Sequence, residues 1–330
     1  MDATRSRLLK SVVTAFELVE QRPGEELLTG FGPLGLRLLF LSPELADAYR
    51  PSLLPPTHCD WKFSLAVLSS EELDLSTLIP DPPEQGRAFH GDGFAAIWQA
   101  PMLYILDKER KLGVIWLSND AVPAWELSRP ASPLVQSMFL DQTWLAVHAA
   151  SVGQLGQALL LGGPGRSGKS TAALACASAG WDFAGDDIVL ANCMTGVIEP
   201  VYRSARLRID MVPFFPSLLD LTRTVTSEAD DARHELTLSR DFKIEGGKLA
   251  AILLPRREGY DEVKFTAAKA SDAFHSMLLS TSFSAPGPLK VISDKLATLL
   301  TRAPIFFVDT GCQPRLIPQA FEKFLGALRN

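Results

Sequence analysis

The stretch ALLLGGPGRSGKSTAALACASAG, Ala158 to Gly180, constrains this chain more than any other part of it. The apolar run QALLL predicts a buried strand. KSTAALACASA, rich in helix formers, predicts a helix that Gly180 ends as a C-cap. Between them, Gly163, Gly168, Lys169 and Ser170 fit GxxxxGK[ST], with Pro164, Gly165, Arg166 and Ser167 inside the loop. Glycines let backbone N–H groups converge without Cβ clashes. Those donors and the helix N-terminus together form an anion site. Lys169 then supplies positive charge to β- and γ-phosphates, and the Ser170 hydroxyl is a natural Mg²⁺ ligand. The bland alternative is a tight glycine turn between a strand and a helix.

A phosphate cradle does not by itself define a reaction, so its partners matter. Transfer of a phosphoryl group requires a residue that orients and deprotonates the acceptor. Asp186 and Asp187, in WDFAGDDIVLA, follow the predicted helix and stand at the head of an apolar run. Two adjacent carboxylates there can divide the work, one on the metal and one on the acceptor proton. In an ordinary P-loop protein the acid follows its apolar strand; here IVLA comes after the acids. His148, in WLAVHAASV, lies on a strand-like run before the cradle. A turn at GQLG, Gly153 to Gly156, would fold that run and QALLL into a hairpin and bring His148 towards the loop.

Composition narrows the remaining choices. The 330 residues, 47% hydrophobic, suffice for a sizeable core and two domains. The net charge of −6 offers no polyanion-binding surface, so no nucleic-acid partner is expected. Cys59, Cys176, Cys193 and Cys312 are scattered without a CxxC pair and read as reduced thiols. The charged, amphipathic N-terminus lacks a signal peptide's long apolar stretch, and no run approaches a membrane span. A soluble cytoplasmic protein with no membrane partner is expected.

Residues 1–130 read as a small α+β domain. Helical spacing runs from Ser6 to Glu20. The strand-like runs LGLRLLFLS, KFSLAVLSS, GFAAIWQA, MLYILD and LGVIWLS follow, and an antiparallel sheet is expected. His58 and His90, in PPTHCDW and FHGDG, read as surface or turn histidines. SRPASP, Ser128 to Pro133, reads as a linker, and residues 131–330 carry the strand, glycine turn, helix pattern of an α/β domain.

Taken together, VHAASV, GGPGRSGKST and FAGDDIVL resemble the HPr kinase/phosphorylase superfamily, in particular its HPr-kinase-related serine kinases. The resemblance covers roughly His148 to Leu190, with weaker likeness beyond. It implies an atypical P-loop kinase fold on a mixed sheet, like that of ATP-dependent PEP carboxykinase. It implies ATP and Mg²⁺ as cofactors, with Gly163, Pro164, Gly165, Arg166, Ser167, Gly168, Lys169, Ser170 and Thr171 around the nucleotide phosphates. It further implies Ser170 and Asp187 on the metal, Asp186 as the base that activates an acceptor serine, and His148 beside it. Thr171 stands where HPr kinases carry glutamate.

LLPRREGY offers Arg256, with Arg257, as the arginine that contacts the γ-phosphate; Arg203, Arg206 and Arg208 in VYRSARLRID are rivals. The layout, with an N-terminal sheet domain and then HAA, the P-loop, DD and LPRR, is similar to that of kinases of lasso-peptide biosynthesis. That implies a peptide or protein partner bearing an acceptor serine, and leaves room for a homo-oligomer. A small-molecule kinase of the same fold and a nucleotide-dependent binding module are the competing readings.

Thr226 to Phe242 is charged and poorly periodic and reads as a loop. SDAFHSMLLSTSF reads as a helix with Phe274, Met277 and Leu278 inward and His275 a bystander. PIFFVDTG reads as a strand at the sheet edge, and PQAFEKFLGALRN as a helix packing Phe321, Phe324, Leu325 and Leu328.

Overall fold

A computed structural model of the chain describes residues 2–22, 24–56, 61–74, 88–91, 93–119, 121–140, 142–216, 218, 222–225, 233–256, 258–259, 262–284, 287–311 and 313–329. His58, Cys59, Arg257, Cys312 and residues 226–232 lie outside them. The chain is mixed α/β. It divides into two compact units, Met1–Met138 with Pro286–Pro288, and Phe139–Ala285 with Leu289–Asn330. No helix among the described residues is long and apolar enough to cross a membrane.

The first unit contains α1 (Asp2–Gln21), β1 (Glu25–Phe31), β2 (Leu34–Phe40), α2 (Pro43–Tyr49), β3 (Trp61–Ser69), β4 (Ala88–Gly91), β5 (Phe94–Gln99), β6 (Met102–Asp107), β7 (Leu112–Leu117), α3 (Ala124–Ser128) and α4 (Ser132–Met138). One face of α1, carrying Leu8, Val12, Ala15, Phe16 and Val19, is buried on Leu103, Ile105, Val114 and Trp116 of the sheet. The sheet order is β1-β2-β3-β7-β6-β5-β4. It is mixed rather than antiparallel, because β3 runs parallel to both β2 and β7. The signal for this lies in β3 itself. Leu65, Ala66, Val67 and Leu68 are all fully buried, a continuous apolar run rather than an alternating one, as in strands covered on both faces. His90 stands in β4, not in a turn. Its Nδ1 lies 3.3 Å from the Ser137 hydroxyl, and burial lowers its pKa to about 4.

The expected linker at Ser128 to Pro133 is instead buried, spanning the end of α3 and the start of α4. Its anchor is Glu126, which is fully buried. The Glu126 carboxylate accepts hydrogen bonds from the Tyr49 hydroxyl (3.1 Å), the Tyr104 hydroxyl (2.5 Å) and the Ala131 N–H (3.0 Å). Three donors to one carboxylate fix this segment against the sheet, which composition alone does not reveal. Burial nevertheless dominates and raises the Glu126 pKa to about 7. A carboxyl group with a raised folded-state pKa stabilises the fold while protonated, and that contribution is lost as pH rises between the unfolded and folded values. The stability of Glu126→Gln relative to the wild type should therefore rise between about pH 4.5 and 7. The total gain should be about 3 kcal/mol, read by denaturant unfolding across that range. A difference independent of pH would contradict the assignment.

The second unit contains β8 (Trp144–Val147), β9 (Ala149–Gln154), β10 (Gln157–Gly162), α5 (Lys169–Ser178), β11 (Asp182–Gly185), β12 (Val189–Asn192), β13 (Val197–Glu199), β14 (Ser204–Arg208), β15 (Thr222–Val225), β16 (Arg233–Thr237), β17 (Gly247–Arg256), β18 (Lys264–Ala267), α6 (Ala270–Ser284), α7 (Leu289–Leu299), β19 (Ile305–Asp309) and α8 (Ile317–Arg329). Its main sheet follows the path β11-β9-β10-β17-β13-β12-β8, with β19 on β17 and β18 on β19. β10, β17 and β19 are parallel neighbours and the other pairs antiparallel. Alternation along β10 sends Leu159 and Leu161 to one core, with the alanines of α5 and with Phe321 and Leu325 of α8. Leu160 goes to another, with Met277 of α6 and Ile292 and Leu296 of α7. The sheet is thus covered by helices on both faces.

The GQLG turn forms as expected. Leu155 (φ 54°) and Gly156 (φ 74°) close a two-residue connection between Gln154 and Gln157. Three other expectations change. β19 is interior, flanked by β17 and β18. Leu328 is 37% exposed rather than packed. Residues 233–237, within the expected loop, form β16 in a small sheet of order β14-β16-β15.

Candidate active site

Two breaks in one antiparallel ladder build the site. The chain passes from β8 to β9 at His148, and from β11 to β12 through Asp186, Asp187 and Ile188. Val147 pairs with Val189 on one side of the break and Ser151 with Gly185 on the other, and beyond Gly185 the pairing shifts by one residue, to Phe183 with Val152 and Asp182 with Gly153. The residues between leave the ladder, as does Ala184 at the shift. Asp187 adopts φ 73°, a conformation uncommon for a residue with a Cβ and one that concentrates at functional sites. The backbone N–H of His148, freed by the break, donates to the hydroxyl of the fully buried Thr281 on α6 (3.3 Å). Interruptions of this kind re-aim side chains at sheet positions next to active sites.

The glycine-rich turn joins β10 to α5. Gly163 has φ 132° and Gly168, the N-cap of α5, has φ 111°, both open chiefly to glycine. Gly168 has no side chain with which to cap α5, and the N–H groups of the first turn are the donors that an anion at this helix end would meet. The buried Ser167 hydroxyl has no hydrogen-bond partner among the described residues, which fits a loop shaped for an acceptor-rich ligand. The Lys169 ammonium, buried, donates to the carbonyls of Gly163 and Pro164 at 2.8 Å each.

The loop and the ladder break meet. The Ser170 hydroxyl donates to Asp186 Oδ1 at 2.9 Å, and the Arg206 N–H of β14 donates to Asp186 Oδ2 at 2.9 Å. Asp186 is 2% exposed. Burial first, and the neighbouring Asp187 second, push its pKa up, against the opposing pull of the two hydrogen bonds and the Lys169 charge. Asp187 is the more open of the two. Its carboxylate lies 3.4 Å from His148 Nδ1 and 3.2 Å from the Arg206 guanidinium, which also pairs with the buried Glu235 at 2.8 Å. His148, Gly165, Arg166, Gly168, Lys169, Ser170, Thr171, Asp186, Asp187, Arg206 and Arg208 line one cavity of about 60 Å³.

Of the expected residues, Gly165, Arg166, Gly168, Lys169, Ser170, Thr171, the acid pair and His148 line this cavity; Gly163, Pro164 and Ser167 belong to the loop but not to the lining, and the expected arginine is not there. Arg256, at the end of β17, pairs with Glu258 at 2.9 Å and lies over the Phe307 ring at 4.3 Å, outside the lining of this cavity. Arg206 and Arg208 stand there instead. Ser170 is bonded to Asp186 rather than to Asp187, the reverse of the pairing implied by the resemblance. Sequence reasoning missed Glu235, which holds Arg206. The alternation of HELT in β16 was its one local signal. Among the described residues, no group of three or more His, Cys, Asp and Glu side chains has a metal-holding arrangement. A Mg²⁺ carried on phosphates needs only one or two protein oxygens, and Ser170 with Asp186 is a donor set of that kind.

No protein-family model matches this chain, and no curated protein matches it either.

Because Asp186 is desolvated and faces a second carboxylate, its charge should cost stability when no cation is present. Asp186→Asn keeps the shape, with the amide oxygen accepting from the Arg206 N–H and the amide nitrogen donating to the Ser170 hydroxyl. It should raise the melting temperature of the ligand-free protein by about 2–4 °C, corresponding to about 1 kcal/mol, at neutral pH. With a raised folded-state pKa in the wild type, that advantage should grow as pH rises and shrink in acid. An unchanged or lower melting temperature would show the charge to be compensated already.

Proposed function

We propose that the second unit is an ATP- and Mg²⁺-dependent phosphotransferase that phosphorylates a serine hydroxyl on a peptide or protein. The observation that carries this reading is the convergence of Lys169 and Ser170 with Asp186, Asp187 and His148 on one cavity. A glycine turn serving only to join a strand to a helix would need neither two carboxylates nor a histidine beside it. The order and identity of these residues, which resemble HPr-kinase-related serine kinases, support the P-loop kinase fold and the class of acceptor. The likeness to the lasso-peptide type favours the C-terminal serine of a precursor peptide.

Bound MgATP supplies an activated phosphoryl group whose charge is spread over its three peripheral oxygens. The loop N–H groups and the α5 N-terminus hold the phosphates. Lys169 exchanges its two carbonyl partners for phosphate oxygens and neutralises charge. Ser170 and Asp186 would hold Mg²⁺ from the protein side, and the hydrogen bond between them places both oxygens for that role. Asp187, the more open carboxylate, accepts the proton of the incoming hydroxyl. His148 positions it on one side and Arg206 on the other, and Arg206 also places positive charge beside the transferred group. Catalysis of this kind rests on positioning and electrostatics.

This division of labour makes the two aspartates separable. Asp187→Asn should lower transfer from radiolabelled ATP to a peptide ending in serine by about 10²-fold or more, with MgATP affinity within a few-fold of the wild type. Asp186→Asn should instead weaken Mg²⁺-dependent nucleotide binding. Near-normal transfer by Asp187→Asn would remove that residue from the acceptor role. Label on free serine or a sugar and on no peptide would make the enzyme a small-molecule kinase. Tight ATP binding with no transfer to any acceptor would leave a binding module.

A further inference from the structure

Beside the phosphate cavity lies a second recess that shares Thr171 with it and has no part in the chemistry described above. Thr171, one residue beyond Ser170 on α5, lines both. The second recess, about 290 Å³, is bounded by Met211, Phe214, Thr310, Pro314 and Ile317. Met211 and Ile317 are buried and form an apolar floor, whereas Phe214 is 54% exposed at the rim. Thr310 ties the recess to the cradle: its hydroxyl lies 3.6 Å from where a Cβ on Gly168 would stand.

We propose that this recess is the nucleoside subsite, with the base lying against Phe214 and over Met211 and Ile317. The proposal rests on the reading of the glycine turn as a nucleotide-phosphate cradle. Direction follows from charge. The reacting end of the triphosphate must face Asp187, His148 and Arg206, so the sugar and base leave the cradle from its other end. Thr171 marks that end and lines the recess as well. Size is suitable: pockets for small organic ligands begin at about 300 Å³. So is chemistry, since a flat heteroaromatic ring gains from an aromatic face and an apolar floor, whereas a charged acceptor peptide would not. The side chains of the recess offer few hydrogen-bonding groups, chiefly the Thr310 hydroxyl, to read a base edge. The subsite therefore selects for a ring rather than for a particular purine.

The test is calorimetric titration of the full chain and of Phe214→Ala with MgATP, MgGTP and magnesium tripolyphosphate. The wild type should bind ATP and GTP with affinities within about ten-fold of each other. Stacking of a base contributes about 1–3 kcal/mol by alanine substitution, so Phe214→Ala should weaken both nucleotides by roughly 5- to 150-fold. Tripolyphosphate binding should be unchanged, and Phe214→Trp, which keeps an aromatic face, should restore nucleotide affinity. Unchanged ATP affinity in Phe214→Ala would overturn the subsite and leave the cradle standing. Equal losses for ATP and tripolyphosphate would also overturn it, by marking a general disturbance. A raised KM for a peptide acceptor without loss of ATP affinity would assign the recess to the acceptor. Wild-type protein that binds neither ATP nor tripolyphosphate would refute the cradle itself.

Discussion

The arrangement depends on the hydrogen bond between Ser170 and Asp186. It ties the first turn of α5 to the break between β11 and β12, and hence the phosphate loop to the acidic centre. A carboxylate as buried as Asp186 is expensive to keep charged. Two short hydrogen bonds, one from Ser170 and one from the backbone of Arg206, offset part of that cost. Hydrogen bonds to a charged group contribute about 1.5–3 kcal/mol each. Asp187 adds repulsion. Burial and the neighbouring Asp187 thus leave the Asp186 carboxylate with a cost that a divalent cation on it would relieve.

The rest of the unit serves this geometry. Covering the sheet on both faces keeps β9, β10 and β17 rigid and apolar, so a local irregularity between Gly185 and Val189 is confined to a few residues. The pairing on the two sides of the break makes the point. The ladder is interrupted between Gly185 and Val189 and shifts by one residue at Ala184, so a bulge and the left-handed Asp187 redirect side chains while the strands stay paired on both sides. Thr281 on one side and the Arg206 N–H on the other take up polar groups that the interruption releases. Arg206 does double duty: its backbone serves Asp186 and its guanidinium serves Asp187, while Glu235 holds that guanidinium in place.

Much of this was legible because it is local. A strand, a glycine turn and a small-residue helix are encoded within 23 consecutive residues, Ala158 to Gly180. The GQLG turn announced the hairpin that brings His148 to the loop. The position of the acids before their apolar run, odd for an ordinary P-loop, reflects the ladder break that they occupy. Long-range features stayed hidden. Arg206 reaches the site through β14, whose partner β16 lies in a stretch so charged that it read as a loop. Arg256 looked well placed in sequence, but its guanidinium is taken up by Glu258 and Phe307. Which aspartate bonds Ser170 depends on the backbone conformation at Asp187, and two adjacent identical residues carry no sign of that. In the first unit, composition suggested a linker at SRPASP because nothing local reveals that Glu126 draws donors from Tyr49 and Tyr104 far back in the chain.

The most direct measurement is a crystal structure with Mn²⁺ and a non-hydrolysable ATP analogue, with the metal located by anomalous scattering. The account predicts a single metal peak shared by the Ser170 hydroxyl, Asp186 and the terminal phosphates, with the γ-phosphate turned towards Asp187 and His148. A metal held away from Ser170 and Asp186, or a terminal phosphate facing away from Asp187, would contradict it.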